Sequence, residues 1–155
     1  MVWWTAIPGK PGEGYFESKH RILKNLKNLV LLVIHGASAS FGKNLISEQE
    51  VLNNIADMIM EIYLAESLAL RIEKMESLKG EDPSGVYRAM LDVFIYDAAD
   101  KVRKSAADGV NSFADGAGRV YIPAIDPLTR VDGINVKEAR RRIAARLIEE
   151  NSYKF

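Results

Sequence analysis

The sequence predicts an all-α protein, an up-and-down four-helix bundle with three long helices and a shorter C-terminal helix. Three observations carry this. Apolar residues recur at spacings of three and four over long stretches. Start and stop signals for helices bracket those stretches. No segment alternates β-branched and polar residues at period two, as a half-buried strand would. The connections between stretches are short, which favours antiparallel neighbours.

Residues 1–14 contain Pro8, Gly9, Pro11, Gly12 and Gly14 and read as an irregular lead-in. Residues 15–155 are expected to form the bundle. A first helix is predicted from Tyr15 to about Asn44, with Phe16, Ile22, Leu23, Leu26, Leu29, Val30, Val33 and Ile34 as its apolar positions. The run Gly36-Ala37-Ser38-Ala39-Ser40 permits close approach of a neighbour, while Gly36 weakens the helix locally.

The second helix carries the clearest pattern. Ser47-Glu48-Gln49-Glu50 has the form of a capping box. Val51, Ile55, Met58, Ile62, Ala65, Ala69 and Ile72 then alternate spacings of four and three, a heptad-like seam. Leu52, Ile59, Tyr63 and Leu70 widen the apolar face, so this helix is expected to touch more than one neighbour. Gly80 is placed to end it, after a length on the order of 50 Å.

Asp82-Pro83 suits an N-cap followed by proline at the first helical position. The third helix is predicted to run to about Ala114, its spacing traced by Val86, Met90, Val93 or Phe94, Asp97 or Ala98, Lys101 or Val102, Ser105 and Gly109. Gly116, Gly118, Pro123 and Pro127 mark a connector. Asn135 caps a short last helix in which Ala139, Ile143, Leu147 and Ile148 are expected to face inward and Arg140, Arg141, Arg142 and Arg146 to face water.

Composition narrows the function. One domain accommodates 155 residues of which 48% are hydrophobic. The 21 basic and 21 acidic residues cancel, so nothing in the total argues for a nucleic-acid partner. The absence of cysteine excludes a disulfide framework, a thiolate metal site and a cysteine nucleophile. Met1-Val2-Trp3-Trp4 has no basic region followed by a long apolar run, so no signal peptide is expected. The most apolar run, Leu29 to Ile34, is far shorter than the ~20 residues of a membrane span. A cytoplasmic location is expected.

Catalytic inventories fail in turn. A di-iron bundle needs two Glu-x-x-His motifs. Glu17 and His20 supply one, but Leu32 precedes His35 where the second needs Glu. Two histidines, neither near a Gly-x-Ser-x-Gly turn, leave no base for a nucleophilic triad. Gly-rich phosphate loops are absent. Asp57 and Glu61, one turn apart, read as a solvated acidic face rather than an acid–base pair.

Two features point to surfaces instead. Trp3 and Trp4, with Ile7, either cover an end of the bundle or dock on something outside this chain, aromatics being enriched at interface centres. Lys19, Arg21, Lys24 and Lys27 make the first helix basic and are candidate contacts for an anionic lipid or phosphate, although charge runs are usually solvated faces. Arg140-Arg141-Arg142 has the same two readings. Residues 47–79 hold seven acids (Glu48, Glu50, Asp57, Glu61, Glu66, Glu73, Glu76) against three bases (Arg71, Lys74, Lys79), so opposite charge would steer the first two helices together.

Several stretches resemble a known pattern. Gly14-Tyr15-Phe16-Glu17, Glu48 through Met58, and Glu61 through Arg71 look like the C-terminal helical domain of large, very-long-chain-like acyl-CoA dehydrogenases. The ending agrees in order and spacing: Asp132-Gly133-Ile134-Asn135, Ala139 through Ala144, and Leu147 through Phe155. The resemblance covers nearly the whole chain from Gly14 onward. It implies a parent enzyme of fatty acid β-oxidation type that oxidises acyl-CoA thioesters to enoyl-CoA with FAD. It also implies that the flavin-binding and catalytic-base segments lie upstream. The family's Glu-Gly-Thr-Asn stretch is not found here, so no catalytic, cofactor-binding or metal residue is carried over, and the chain alone is expected to be inactive. In the very-long-chain branch a related extension packs on the main body, fills the space of a second dimer contact and is linked to membrane association. The expected partners are therefore the upstream catalytic domains of the same enzyme, in a homo-oligomer. The alternative is a stand-alone helical interaction or membrane-surface module.

Overall fold

The structure, a computed structural model, describes residues 5–113 and 116–151. Every regular element among them is helical: α1 (Tyr15–Phe41), α2 (Gln49–Lys79), α3 (Val86–Phe113), α4 (Ile122–Leu128) and α5 (Val136–Glu150), with 3-10 turns at Gly42–Ser47 and Gly116–Tyr121.

Cross-helix ion pairs fix the directions. His20 meets Glu73 and Lys27 meets Glu66, so α1 and α2 are antiparallel. Arg88 meets Glu76 and Lys101 meets Glu61, so α2 and α3 are antiparallel too. The result is an up-down-up core of three long helices. The core is one continuous cluster. From α1 it takes Ile22, Leu23, Leu26, Leu29, Val30, Leu32, Val33 and Ala37. From α2 it takes Val51, Ile55, Met58, Ile62, Ala65, Ala69 and Ile72, which are the heptad seam and nothing else. α3 presents Leu91, Ile95, Ala98, Ala99, Val102, Ala106, Val110 and Phe113.

Helix ends follow local chemistry, with corrections to the sequence reading. α1 stops at Phe41 rather than near Asn44, because Gly42 takes φ 53° and donates its amide to Ser38. The capping box at Ser47 does not form. Ser47 closes the 3-10 turn, Glu48 is the N-cap without a side-chain bond, and the Gln49 side chain donates instead to the Ile46 carbonyl at 3.0 Å. The intervening 3-10 turn uses the residues a free loop would have offered to a cap. Gly80 does end α2, at φ 83°. Pro83 is not the first residue of α3. It lies in a turn closed by the Gly85 amide on the Asp82 carbonyl, and α3 starts at Val86, whose amide donates to the Asp82 carboxylate at 3.1 Å. Burial pushes the Asp82 carboxyl up, but hydrogen bonds from the Ser84 hydroxyl and backbone amides win and hold it below its usual range. Asn135 caps α5 as expected, accepting from the Glu138 amide.

The connector at 116–127 contains more order than its glycines and prolines suggested. α4 buries Ile125 and Leu128 against α1 and α3, with proline early in the helix, where a missing amide costs nothing. α5 lies on α3 alone and has no fully buried residue. Ala139, Ile143 and Leu147 are half-buried, but Ile148 is 79% exposed, a correction to its expected inward face.

By length and composition, Tyr15–Ser47 is apolar enough to cross a membrane. This differs from the reading based on the short run Leu29–Ile34. A third of its most apolar window is buried inside the bundle, where Leu29, Val30, Leu32, Val33 and Ala37 join the core, and the segment is broken at Gly42.

Candidate functional site

The most organised polar cluster sits where α1 and α3 begin. Lys19 is buried and its Nζ lies 2.9 Å from Asp92 Oδ1 and 3.8 Å from Asp132. The Tyr15 hydroxyl lies 2.9 Å from the same Asp92 oxygen and 3.0 Å from the Arg88 carbonyl. Arg88 forks onto Glu76, pairs with Glu81, and stacks over the Tyr15 and Phe16 rings. Burial, then the neighbouring Asp92 charge, pushes the Tyr15 phenol well above its ordinary value. A phenol so held stays protonated at any physiological pH and acts as a donor, not a base. Every charge in the cluster has a partner, which is the signature of a structural network.

A cleft of about 400 Å³ opens beside it, lined by Tyr15, Arg88, Asp92, Asn135 and Arg142. A second, of about 510 Å³, runs between α2 and α3 along Asp57, Glu61, Lys101 and Lys104. Both are open and rimmed by ion pairs, unlike the enclosed, mainly apolar cavities that hold large cofactors. The residues do not fit a flavin. Among the described residues no group of three or more His, Asp or Glu side chains is arranged to hold a metal. His20, the one histidine with a metal-like spacing, is engaged by Glu73 at 2.9 Å.

The four basic residues of the first helix have different surroundings. Lys19 is in the buried cluster. Arg21 forks onto Glu13 at 2.9–3.0 Å. Lys27 meets Glu66 at 2.5 Å, and Lys24 is exposed with no ion pair among the described residues. In the C-terminal run, Arg140 pairs with Asp97 on α3 and Arg141 with Glu138. Trp3 and Trp4 lie outside the described residues.

Sequence reasoning missed the clamp that holds the lead-in. The Ile7 amide donates to Asn25 Oδ1 at 2.8 Å, and Asn25 Nδ2 donates back to the Ile7 carbonyl at 3.1 Å. A buried asparagine on an apolar helix face was the available signal. Asn25→Leu is expected to cost about 1–3 kcal/mol, because the Ile7 backbone loses its partner. Limited proteolysis should then cut within residues 5–14 at concentrations that leave the parent chain intact.

The outward face of α2 is unlike the other surfaces. Ile59, Met60, Tyr63, Leu64 and Leu70 are 49–68% exposed there. Ile59, Tyr63 and Leu70 are the residues whose spacing predicted a second neighbour for this helix, and none of the described elements covers them.

The chain is similar to known proteins along nearly its whole length. Residues 25–124 match the family described as "Acyl-CoA dehydrogenase, C-terminal domain". A "Probable acyl-CoA dehydrogenase" of Bacillus subtilis (strain 168) is 30% identical over 148 residues, which is 95% of this chain and 25% of that protein. The crystal structure of an acyl-CoA dehydrogenase complexed with FAD from Bacillus anthracis superposes with a TM-score of 0.88 at 29% identity, covering 96% of this chain and 26% of that one. The chain thus spans about a quarter of the length of these relatives. With helical order, sequence and fold in agreement, the chain belongs to the acyl-CoA dehydrogenase C-terminal domain family.

Proposed function

We propose that this chain is a non-catalytic helical domain that works with the catalytic body of an FAD-dependent acyl-CoA dehydrogenase of fatty acid β-oxidation type, packing on that body or at a subunit interface. The observation that carries the reading is the family match to a C-terminal domain, joined to coverage of only a quarter of relatives that are named as whole dehydrogenases. The residue inventory supports it. The polar groups of the best-organised cluster satisfy one another, and neither cleft suits a flavin.

On this reading FAD, acyl-CoA and the reacting groups belong to the body, and this chain contributes shape and surface. Trp3 and Trp4 precede the clamped lead-in and are the proposed anchors on the body, while Lys24 and Lys27 remain the accessible members of the basic set. A cytoplasmic enzyme is the location proposed, supported by the cysteine-free sequence and by an α1 whose apolar residues serve the core.

The test has two parts. After incubation with excess FAD and desalting, the chain should be colourless, and a retained flavin spectrum would replace this reading. Adding the separately produced catalytic body in excess should raise the unfolding temperature, because a ligand that binds only the folded state stabilises it by mass action. An unchanged unfolding temperature rejects docking on the body.

A further inference from the structure

The exposed face of α2 carries a second seam. Asn53, Asp57, Met60, Leu64, Ser67, Arg71, Lys74 and Leu78 alternate spacings of four and three, and all eight are exposed. They repeat the heptad rhythm of the buried seam but offset by two residues, which on a helix is the opposite side. Ile59, Tyr63 and Leu70 flank the seam and broaden its middle into an apolar stripe.

The charges on this face are segregated along its length. Glu50 and Asp57 stand toward the N-terminal end, Arg71 and Lys74 toward the C-terminal end. None of the four has an ion-pair partner among the described residues, whereas Glu61, Glu66, Glu73 and Glu76 on the flanks of the same helix are all paired with α1 or α3. A helix that is apolar in the middle, acidic toward one end and basic toward the other is complementary to itself turned end for end. An antiparallel pair sets Asp57 of each copy beside Arg71 and Lys74 of the other, with Leu64 and Ser67 nearest the two-fold axis. A parallel pair would align like charges.

We infer that a second copy of this chain occupies the outward face of α2, forming a two-fold antiparallel helix pair. Such a contact is isologous, so each favourable contact occurs twice. It uses one helix per copy and falls toward the low end of specific interface sizes, so association of the isolated chain is in the micromolar range, on the order of 1–100 µM. It stands on the charges and exposure of α2 and requires that the catalytic body leave this face open.

Sedimentation velocity over micromolar concentrations, at low salt and at about 0.5 M salt, provides the test. The expected result is a monomer–dimer equilibrium that weakens at high salt. Leu64→Glu should abolish it. Asp57→Arg and Arg71→Asp should each weaken it about tenfold or more, and the double exchange D57R/R71D should restore most of the loss. All three positions are exposed, so circular dichroism melts should show folded monomers. A monomer at every concentration, a dimer indifferent to Leu64→Glu, or a double exchange no better than the singles overturns the inference. So does protection of α2 amides by the catalytic body in place of self-association.

Discussion

Asp92→Ala is expected to lower the unfolding free energy by about 3–5 kcal/mol, the usual cost of leaving one member of a buried ion pair behind. Lys19 has a side chain only 7% exposed, and its Nζ is 2.9 Å from Asp92. Without that carboxylate the ammonium keeps Asp132 at 3.8 Å and the Tyr15 ring at 5.0 Å. Neither replaces a direct, charge-assisted hydrogen bond. The Tyr15 hydroxyl also loses its charged acceptor and retains only the Arg88 carbonyl. The loss should appear as a lower urea midpoint at an unchanged slope, because the surface exposed on unfolding is the same. The paired replacement Lys19→Met with Asp92→Leu should recover most of the stability, since it removes both charges together. A single Asp92→Ala cost below about 1 kcal/mol would show that water reaches Lys19 and that the pair is an exposed one.

The same cluster marks a boundary of what the sequence disclosed. The α2 seam was legible residue by residue, because a single period repeated over seven positions has one geometric solution. α3 was harder. Its predicted line meets the observed face at Val86, Ala98, Val102 and Gly109, but Met90, Val93, Phe94 and Ser105 lie beside that face, which runs instead through Ala89, Leu91, Ile95 and Ala106. Alanines crowd both sides of that helix, so periodicity alone leaves its rotation loose. The partners on α1 and α2 decide it. α4 was hidden because Pro123 and Pro127 read as breakers; Pro123 sits in the first turn, where proline is tolerated, and Pro127 falls one residue before the helix ends at Leu128. The ion pairs that fix helix directions join residues up to 53 positions apart, as in His20 and Glu73, and the contact between Ser18 and Asp132 spans 114. No local pattern specifies them. At the surface the outward stripe of α2 was readable as excess apolar width, whereas the segregation of its unpaired charges required knowing which acids α1 and α3 already engage.

Phe113→Ala is expected to cost about 3–5 kcal/mol and to reverse the sign of a second substitution, Gly36→Ala. Phe113 closes the far end of the bundle. Its ring lies edge-on to Phe41 at 6.2 Å and to Tyr121 at 6.0 Å, and it covers the bare backbone of α1 at Gly36. A methyl group added at Gly36 would stand 2.6 Å from Phe113 Cε2, 2.8 Å from Cζ and 3.1 Å from Tyr121 Cε2. Contacts that short force the ring to move, and the ring is buried among neighbours that cannot easily yield. Gly36→Ala alone therefore destabilises by about 1–3 kcal/mol, despite the roughly 1 kcal/mol that alanine returns in helix propensity. With Phe113 truncated the two shortest contacts are gone, and the Tyr121 ring at 3.1 Å needs to shift only a few tenths of an ångström, with vacated space beside it. The same Gly36→Ala change then fills part of the space left behind and keeps its propensity gain, so it stabilises. A double-mutant cycle read by urea denaturation should give a coupling above about 1 kcal/mol, the size expected for residues in direct contact. Additive costs would mean that Gly36 is glycine for some reason other than the ring above it.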